Sequence, residues 1–144
     1  MDEAFRLRTC LVGRLAGAND RNRHIGFALR FRRTSSSKVD RSSTQRIFYG
    51  NVLGFRTQHF EGLSYGIAVR GETALYFWAC NDKHIAENTS CYIRVQDIRG
   101  MLRELSPKLP SLQAVVRTAW GMDELYVIDP DGNLIKFGQE SSAQ

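Results

Sequence analysis

Three histidines, three cysteines and a serine-rich run are the residues here that could make or break bonds, and their spacing supports none of the familiar chemistries. His24, His59 and His84 are scattered, with no His-x-x-x-His pair to grip a metal and no carboxylate spaced to orient an imidazole. Each reads as a surface or loop histidine. Cys10, Cys80 and Cys91 are odd in number and lack a Cys-x-x-Cys pair, which favours reduced thiols over a disulfide framework or a zinc site. Nothing beside Cys91 marks its thiol as activated, so it reads as a small buried residue. The serine-rich run at 34–38 has no Gly-x-Ser-x-Gly elbow, and Gly13 and Gly17 do not form a phosphate-binding fingerprint. What remains is binding chemistry: aromatic and cationic side chains at alternate positions of strand-like segments, Tyr76 with Trp78 and Tyr92 with Arg94.

Two hairpins position those residues. In the downstream one, apolar or β-branched runs at 125–128 and 134–137 flank Asp129-Pro130-Asp131-Gly132, which has turn chemistry. Asp bonds back to the backbone, Pro presets φ and Gly accepts positive φ. In the upstream one, superposing Phe77 on Phe137 lays Arg70-Gly71-Glu72 over Pro130-Asp131-Gly132 and brings Ile67-Ala68-Val69 close to Tyr126-Val127-Ile128. Each hairpin follows a strand candidate and then a helix candidate, so the chain reads as two copies of a β-α-β-β-β unit.

The first unit opens with a strand over 25–32, where apolar residues alternate with others. A helix over about 43–53 places Ile47, Phe48 and Val52 on one face and ends at Gly54. Strands are expected over 55–60, 64–69 and 73–79, then a polar connector at 81–88. The second unit starts with a strand over 89–95. Asp97 is spaced to cap a helix carrying Ile98, Met101, Leu102 and Leu105, which Pro107 stops. A strand at 113–118 precedes the closing hairpin.

The net charge of +5 is uneven: residues 1–47 hold eleven Lys or Arg against four Asp or Glu, and residues 48–144 hold nine against eleven. A basic arm of that kind can contact phosphate backbones. Its aromatics are few and no recognition helix can be drawn, so nucleic-acid binding stands only as a second alternative, behind a plain basic extension over 1–24. No window approaches the roughly eighteen apolar residues of a membrane helix, and Met1-Asp2-Glu3-Ala4-Phe5-Arg6 does not begin a signal peptide. The expected location is the cytoplasm, away from membranes.

Phe48-Tyr49 ahead of Leu53-Gly54-Phe55, and Asp129-Pro130-Asp131-Gly132-Asn133 running into Phe137, resemble the glyoxalase/bleomycin-resistance/extradiol dioxygenase superfamily, also called vicinal oxygen chelate, over residues 40–138. The resemblance implies an α+β fold of two βαβββ modules, 25–80 and 89–138, forming one domain. Their curled mixed sheets would form a cup, completed in a homodimer. Many enzymes of the superfamily hold a divalent metal there, with ligands from the opening and last strands of each module. The last-strand positions correspond here to Tyr76 and Lys136, and the second opening-strand position to Ser90. A lysine ammonium offers a hard cation only donors and repulsion, so the closest resemblance is to metal-free bleomycin-resistance-type proteins.

On that reading the ligand-binding residues are Tyr76, Trp78, Tyr92, Arg94 and Lys136, all turned into the cup. Trp120, ahead of Gly121, resembles a groove tryptophan of the same proteins. Aromatic walls with two cations suit a flat or anionic small molecule. No catalytic residue, metal ligand or cofactor is assigned. Bleomycin-like drugs are cationic, so Arg94 and Lys136 count against that particular ligand. A metal-dependent glyoxalase- or dioxygenase-like enzyme of the same superfamily is the first alternative. An alternative role for Tyr76 and Trp78 is to fill a core or a dimer seam, with the cations solvated.

Overall fold

Twelve elements make up the described chain, which in this computed structural model comprises residues 25–32, 41–60, 65–80 and 83–142. They are β1 (Ile25–Arg32), α1 (Arg41–Ile47) continued by a π-helical turn (Phe48–Val52), β2 (Arg56–Phe60), β3 (Tyr65–Arg70), β4 (Thr73–Cys80), α2 (Lys83–Glu87), β5 (Ser90–Arg94), α3 (Ile98–Leu105), β6 (Val116–Arg117), β7 (Met122–Ile128) and β8 (Leu134–Glu140). The expectations for residues 1–24 and for the loop at 34–38 lie outside the described residues.

Local rules account for much of this. Gly54 has φ of +70°, which lets the chain leave the π-helical turn where a side chain would be strained. Asp97 caps α3 by accepting the Gly100 N–H at 2.7 Å, and Ile98, Met101 and Leu105 bury one face of that helix. Three segments depart from expectation. The connector at 81–88 contains α2, whose five residues are too few to show a period. The strand at 113–118 shrinks to Val116–Arg117, with Val115 packed against the core just before it. β7 and β8 run past the expected 125 and 137, because Asp123 and Gln139 find partners in Arg117, Ser141 and the Ile98 N–H.

The strands form two four-stranded sheets of identical order, β1-β4-β3-β2 and β5-β8-β7-β6. In each, the first strand runs parallel to the fourth and the rest are antiparallel. The hairpins match in register: Tyr76 pairs with Ile67 and Lys136 with Tyr126. Between equivalent pairs the second connection is one residue longer, and residues 129–133 lie outside the ladder there against 71–72 in the first. Both sheets are mixed, as expected, but neither is strongly curled; four strands apiece, one of them two residues long, accumulate little twist. No helix among the described residues is long and apolar enough to cross a membrane.

One face of each sheet enters a shared core. Leu75 and Phe77 from β4, Ile93 from β5, Leu125 and Val127 from β7, and Ile135 and Phe137 from β8 meet Tyr49, Leu53, Ile98, Met101 and Leu105. The turn after β7 is bolted to the first helix. Asp129 Oδ1 accepts the Asp131 and Asn133 N–H groups, and Oδ2 accepts Asn133 Nδ2, the Tyr49 hydroxyl and Gln45 Nε2. A carboxylate so thoroughly bonded tolerates burial, although that burial still raises its pKa. Arg70 adds a second tie, donating to the Leu53 carbonyl and pairing with Glu104 of α3 at 2.8 Å.

Candidate functional site

With one face of each sheet in the core, strand alternation turns the other face away from it. On the first sheet that face carries Phe60 from β2, Tyr65 and Ile67 from β3, and Tyr76 and Trp78 from β4, since Phe60 pairs with Tyr65, Tyr65 with Trp78, and Ile67 with Tyr76. The rings touch: Tyr65 lies 5.0 Å from Trp78, 5.6 Å from Phe60 and 6.3 Å from Tyr76, centroid to centroid. Partial burial, with Tyr76 beside it, raises the Tyr65 pKa, so the phenol stays neutral. The patch is a stacking surface.

On the second sheet the equivalent face is polar. Ser90, Tyr92 and Arg94 of β5, Leu134, Lys136, Gly138 and Glu140 of β8, and Glu124, Tyr126 and Ile128 of β7 share it by register. Its hub is Glu124, which is 2% exposed. One carboxylate oxygen accepts the Tyr92 hydroxyl at 3.0 Å and the Trp120 indole N–H at 3.1 Å; the other accepts the Tyr126 hydroxyl. Burial works against the Glu124 charge, but these three bonds and nearby Lys136 more than offset it, and the pKa is lowered. Burial and the Glu124 carboxylate push Tyr92 up, and the hydrogen bond to the same carboxylate raises Tyr126, so both phenols stay protonated. Gly138 makes the arrangement possible. It pairs with Glu124, and any Cβ there would overlap the Tyr92 ring and hydroxyl.

The six expected residues therefore fall into two groups on two sheets. Tyr76 and Trp78 belong to the aromatic face. Tyr92 and Trp120 are joined through Glu124, with Lys136 in direct register between Tyr92 and Tyr126. Among the described residues, Arg94 is paired with Glu140 at 2.8 Å, whereas Lys136 has no hydrogen bond or ion pair. Glu140 pairs with Arg94 and Glu124 lies near Lys136 on the same face, so the charges there balance and it is not a positive surface. Phe60, Tyr65, Tyr126, Glu124 and Gly138 were not anticipated. The signal for Glu124 was present: a carboxylate inside the run Met122–Ile128, two positions before Tyr126 and on its face.

The metal positions of the resembled superfamily do not fit a metal here. The resemblance assigns the last-strand places to Tyr76 and Lys136, which match each other in register, and an ammonium supplies no lone pair. Among the described residues no three His, Cys, Asp or Glu side chains are grouped to hold an ion. Cys91 lies on the core face, and its thiol is pushed up to about 12, first by burial and then by Asp129, which leaves it inert. A cleft between α1 and strands β2 to β4 is lined by Gln45, Tyr49, Thr57, His59 and Phe77. Its volume of about 30 Å³ suits a water rather than a drug.

Comparison with solved structures gives the fold its class. The chain superposes on the bleomycin-binding protein of Streptomyces verticillus, solved with copper(II)-bleomycin, with a TM-score of 0.64 at 20% identity over 92% of this chain and 100% of that one. A bleomycin-binding protein complexed with bleomycin gives 0.60 at 25% identity over 81% and 98%. A glyoxalase/bleomycin resistance protein from Catenulispora acidiphila gives 0.59 at 17% identity over 81% and 96%. No family profile matches the sequence, and no curated protein matches it significantly. The chain has the glyoxalase/bleomycin-resistance, or vicinal oxygen chelate, fold.

Proposed function

We propose that this protein binds a flat small molecule, a drug or a metabolite, without a metal, in the manner of bleomycin-resistance-type proteins. The observation that carries the reading is the pair of faces turned away from the core: a ring cluster on the first sheet and, on the second, Trp120, Tyr92 and Tyr126 set around Glu124 beside Lys136. Rings that are half-exposed and held in place by hydrogen bonds or neighbours can stack on a ligand with little loss of side-chain entropy. Metal independence is supported by the chemistry of Tyr76 and Lys136. No chemical step is required, since sequestration depends only on affinity and protein concentration.

Homodimerisation fits the same surfaces. Trp120 is 70% exposed and Ile128 68%, and exposed large apolar side chains on an uncovered face suit an interaction surface. In the proposed arrangement each binding cup is built across two copies of the chain, in the cytoplasm, with 25–80 and 89–138 acting as its two modules.

Metal analysis of the purified protein, with a fluorescence titration against a panel of planar drugs and metabolites that includes bleomycin, tests the reading. The expected result is no stoichiometric metal, and saturable quenching by at least one planar compound that is lost in Trp120→Phe. Stoichiometric metal, or stabilisation by a single ion, would overturn metal independence and favour an enzyme.

A further inference from the structure

Resting on the binding reading above, we infer that the second sheet selects a planar acid whose anionic group adjoins a ring N–H or O–H, with Lys136 taking the anion and the oxygens of Tyr92 and Tyr126 taking the neighbouring proton. The inference follows from where the hydrogens go. An ionised carboxylate only accepts, so Glu124 claims the single hydroxyl hydrogen of Tyr92 and of Tyr126, as well as the Trp120 N–H. Each phenol then has only acceptor capacity left for anything above the sheet. Lys136 lies in register between the two phenols and brings donors alone, none of them bonded to a described residue. Both phenol oxygens gather at the Glu124 carboxylate beside Gly138, one strand pair from Lys136 on the same face, so the pattern is an acceptor pair next to a cationic donor. Its complement is an anionic oxygen flanked by a donor, on a ring thin enough to lie against the Trp120 indole.

The pattern also excludes ligands. A simple planar cation finds the Glu124 carboxylate already covered by three donors and meets an ammonium beside it. A planar acid stripped of its N–H leaves the phenol oxygens without a partner on binding, which costs affinity. Arg94 is engaged through Nη1 by Glu140 and lies opposite Gly138, outside the Tyr92–Lys136–Tyr126 row. The carboxylate thus acts as a positioning group: it fixes the polarity of two tyrosines without touching the ligand.

Orotate, which carries a carboxylate beside a ring N–H, is a suitable probe, with 1,3-dimethylorotate and uracil as matched controls. Binding is read by Trp120 fluorescence and by ligand-observed NMR. Orotate is expected to bind more tightly than either control, and Lys136→Met to weaken it about tenfold, as loss of one charge-assisted hydrogen bond implies, with uracil little changed. Glu124→Gln frees the tyrosine hydrogens, so it is expected to narrow the gap between orotate and its dimethyl analogue; a purely structural role for Glu124 would weaken both alike. Equal binding of all three compounds, or an unchanged orotate affinity in a folded Lys136→Met variant, would overturn the inference. If orotate fails while neutral planar compounds still quench Trp120, the selectivity is wrong and the binding function stands. If no planar compound binds at all, both fall.

Discussion

The two sheets have the same strand order and hairpin register, yet their outward faces use different chemistry at matching places. Where the first sheet pairs Tyr65 with Trp78, the second pairs Glu124 with Gly138; where the first has Ile67 beside Tyr76, the second has Tyr126 beside Lys136. The first fills its centre with rings. The second removes a side chain at Gly138, lets Tyr92 lie across the gap and anchors it on a carboxylate. The core faces were not free to diverge in this way, because Phe77 and Phe137 enter one close-packed interior. The lesson is that a repeated scaffold fixes where side chains stand, while the uncovered face is where their chemistry can differ.

Substitutions that break this contrast are expected to rank by how much they disturb. Gly138→Val drives a branched side chain into Tyr92. It should cost about 3 kcal/mol, the upper end for overpacking, with loss of ligand quenching; denaturant unfolding measures it. Glu124→Gln should cost about 2 kcal/mol, since three charge-assisted hydrogen bonds weaken together. Because the folded Glu124 pKa is lowered, its stabilisation is present above the unfolded value and is lost as pH falls through the folded one. The variant should therefore lose less stability than wild type on acidification. Asp123, held at about 2 by Arg117 and then by Ser141, keeps a residual acid dependence in both.

On the other sheet, Trp78→Ala should cost about 1 kcal/mol, because it removes a half-exposed ring from the Tyr65 contact. It should leave the Tyr92 and Tyr126 signals of the second sheet unmoved in NMR spectra. Arg94→Ala should cost under about 0.5 kcal/mol, since its partner Glu140 is 75% exposed and such pairs contribute little. A large loss there would mean that the second face depends on charge more than the exposure of this pair allows, which widens its contrast with the aromatic face.

Much of the scaffold was legible in the sequence because it rests on local rules. Asp97 with its apolar spacing marked α3, and turn residues between apolar runs marked both hairpins. Overlaying Phe77 on Phe137 sets Tyr76 on Lys136, as the structure does, but leaves Ile67 one residue from its equivalent Tyr126, because the second connection is one residue longer. The site was only half legible. Tyr92, Trp120 and Tyr126 converge on Glu124, but composition could not show this, because the contacts form only when β5 and the segment before β7 meet in the folded sheet. The cationic surface expected from Arg94 and Lys136 was misleading for a related reason. Glu140 and Glu124 approach those residues only through strand pairing, which links positions far apart in the chain. The role of Asp129 was likewise half visible. Its turn was clear, whereas its bonds to Gln45 and Tyr49 depend on how the first helix docks.

The most direct test of the central claim is backbone and indole chemical-shift mapping of the protein with the best planar ligand from the fluorescence panel. The account predicts that the largest shifts fall on Tyr92, Glu124, Tyr126, Lys136 and the Trp120 indole N–H, with Tyr76 and Trp78 next. Shifts confined to the cleft beside Gln45, Tyr49 and His59, or none at saturating ligand, would contradict it.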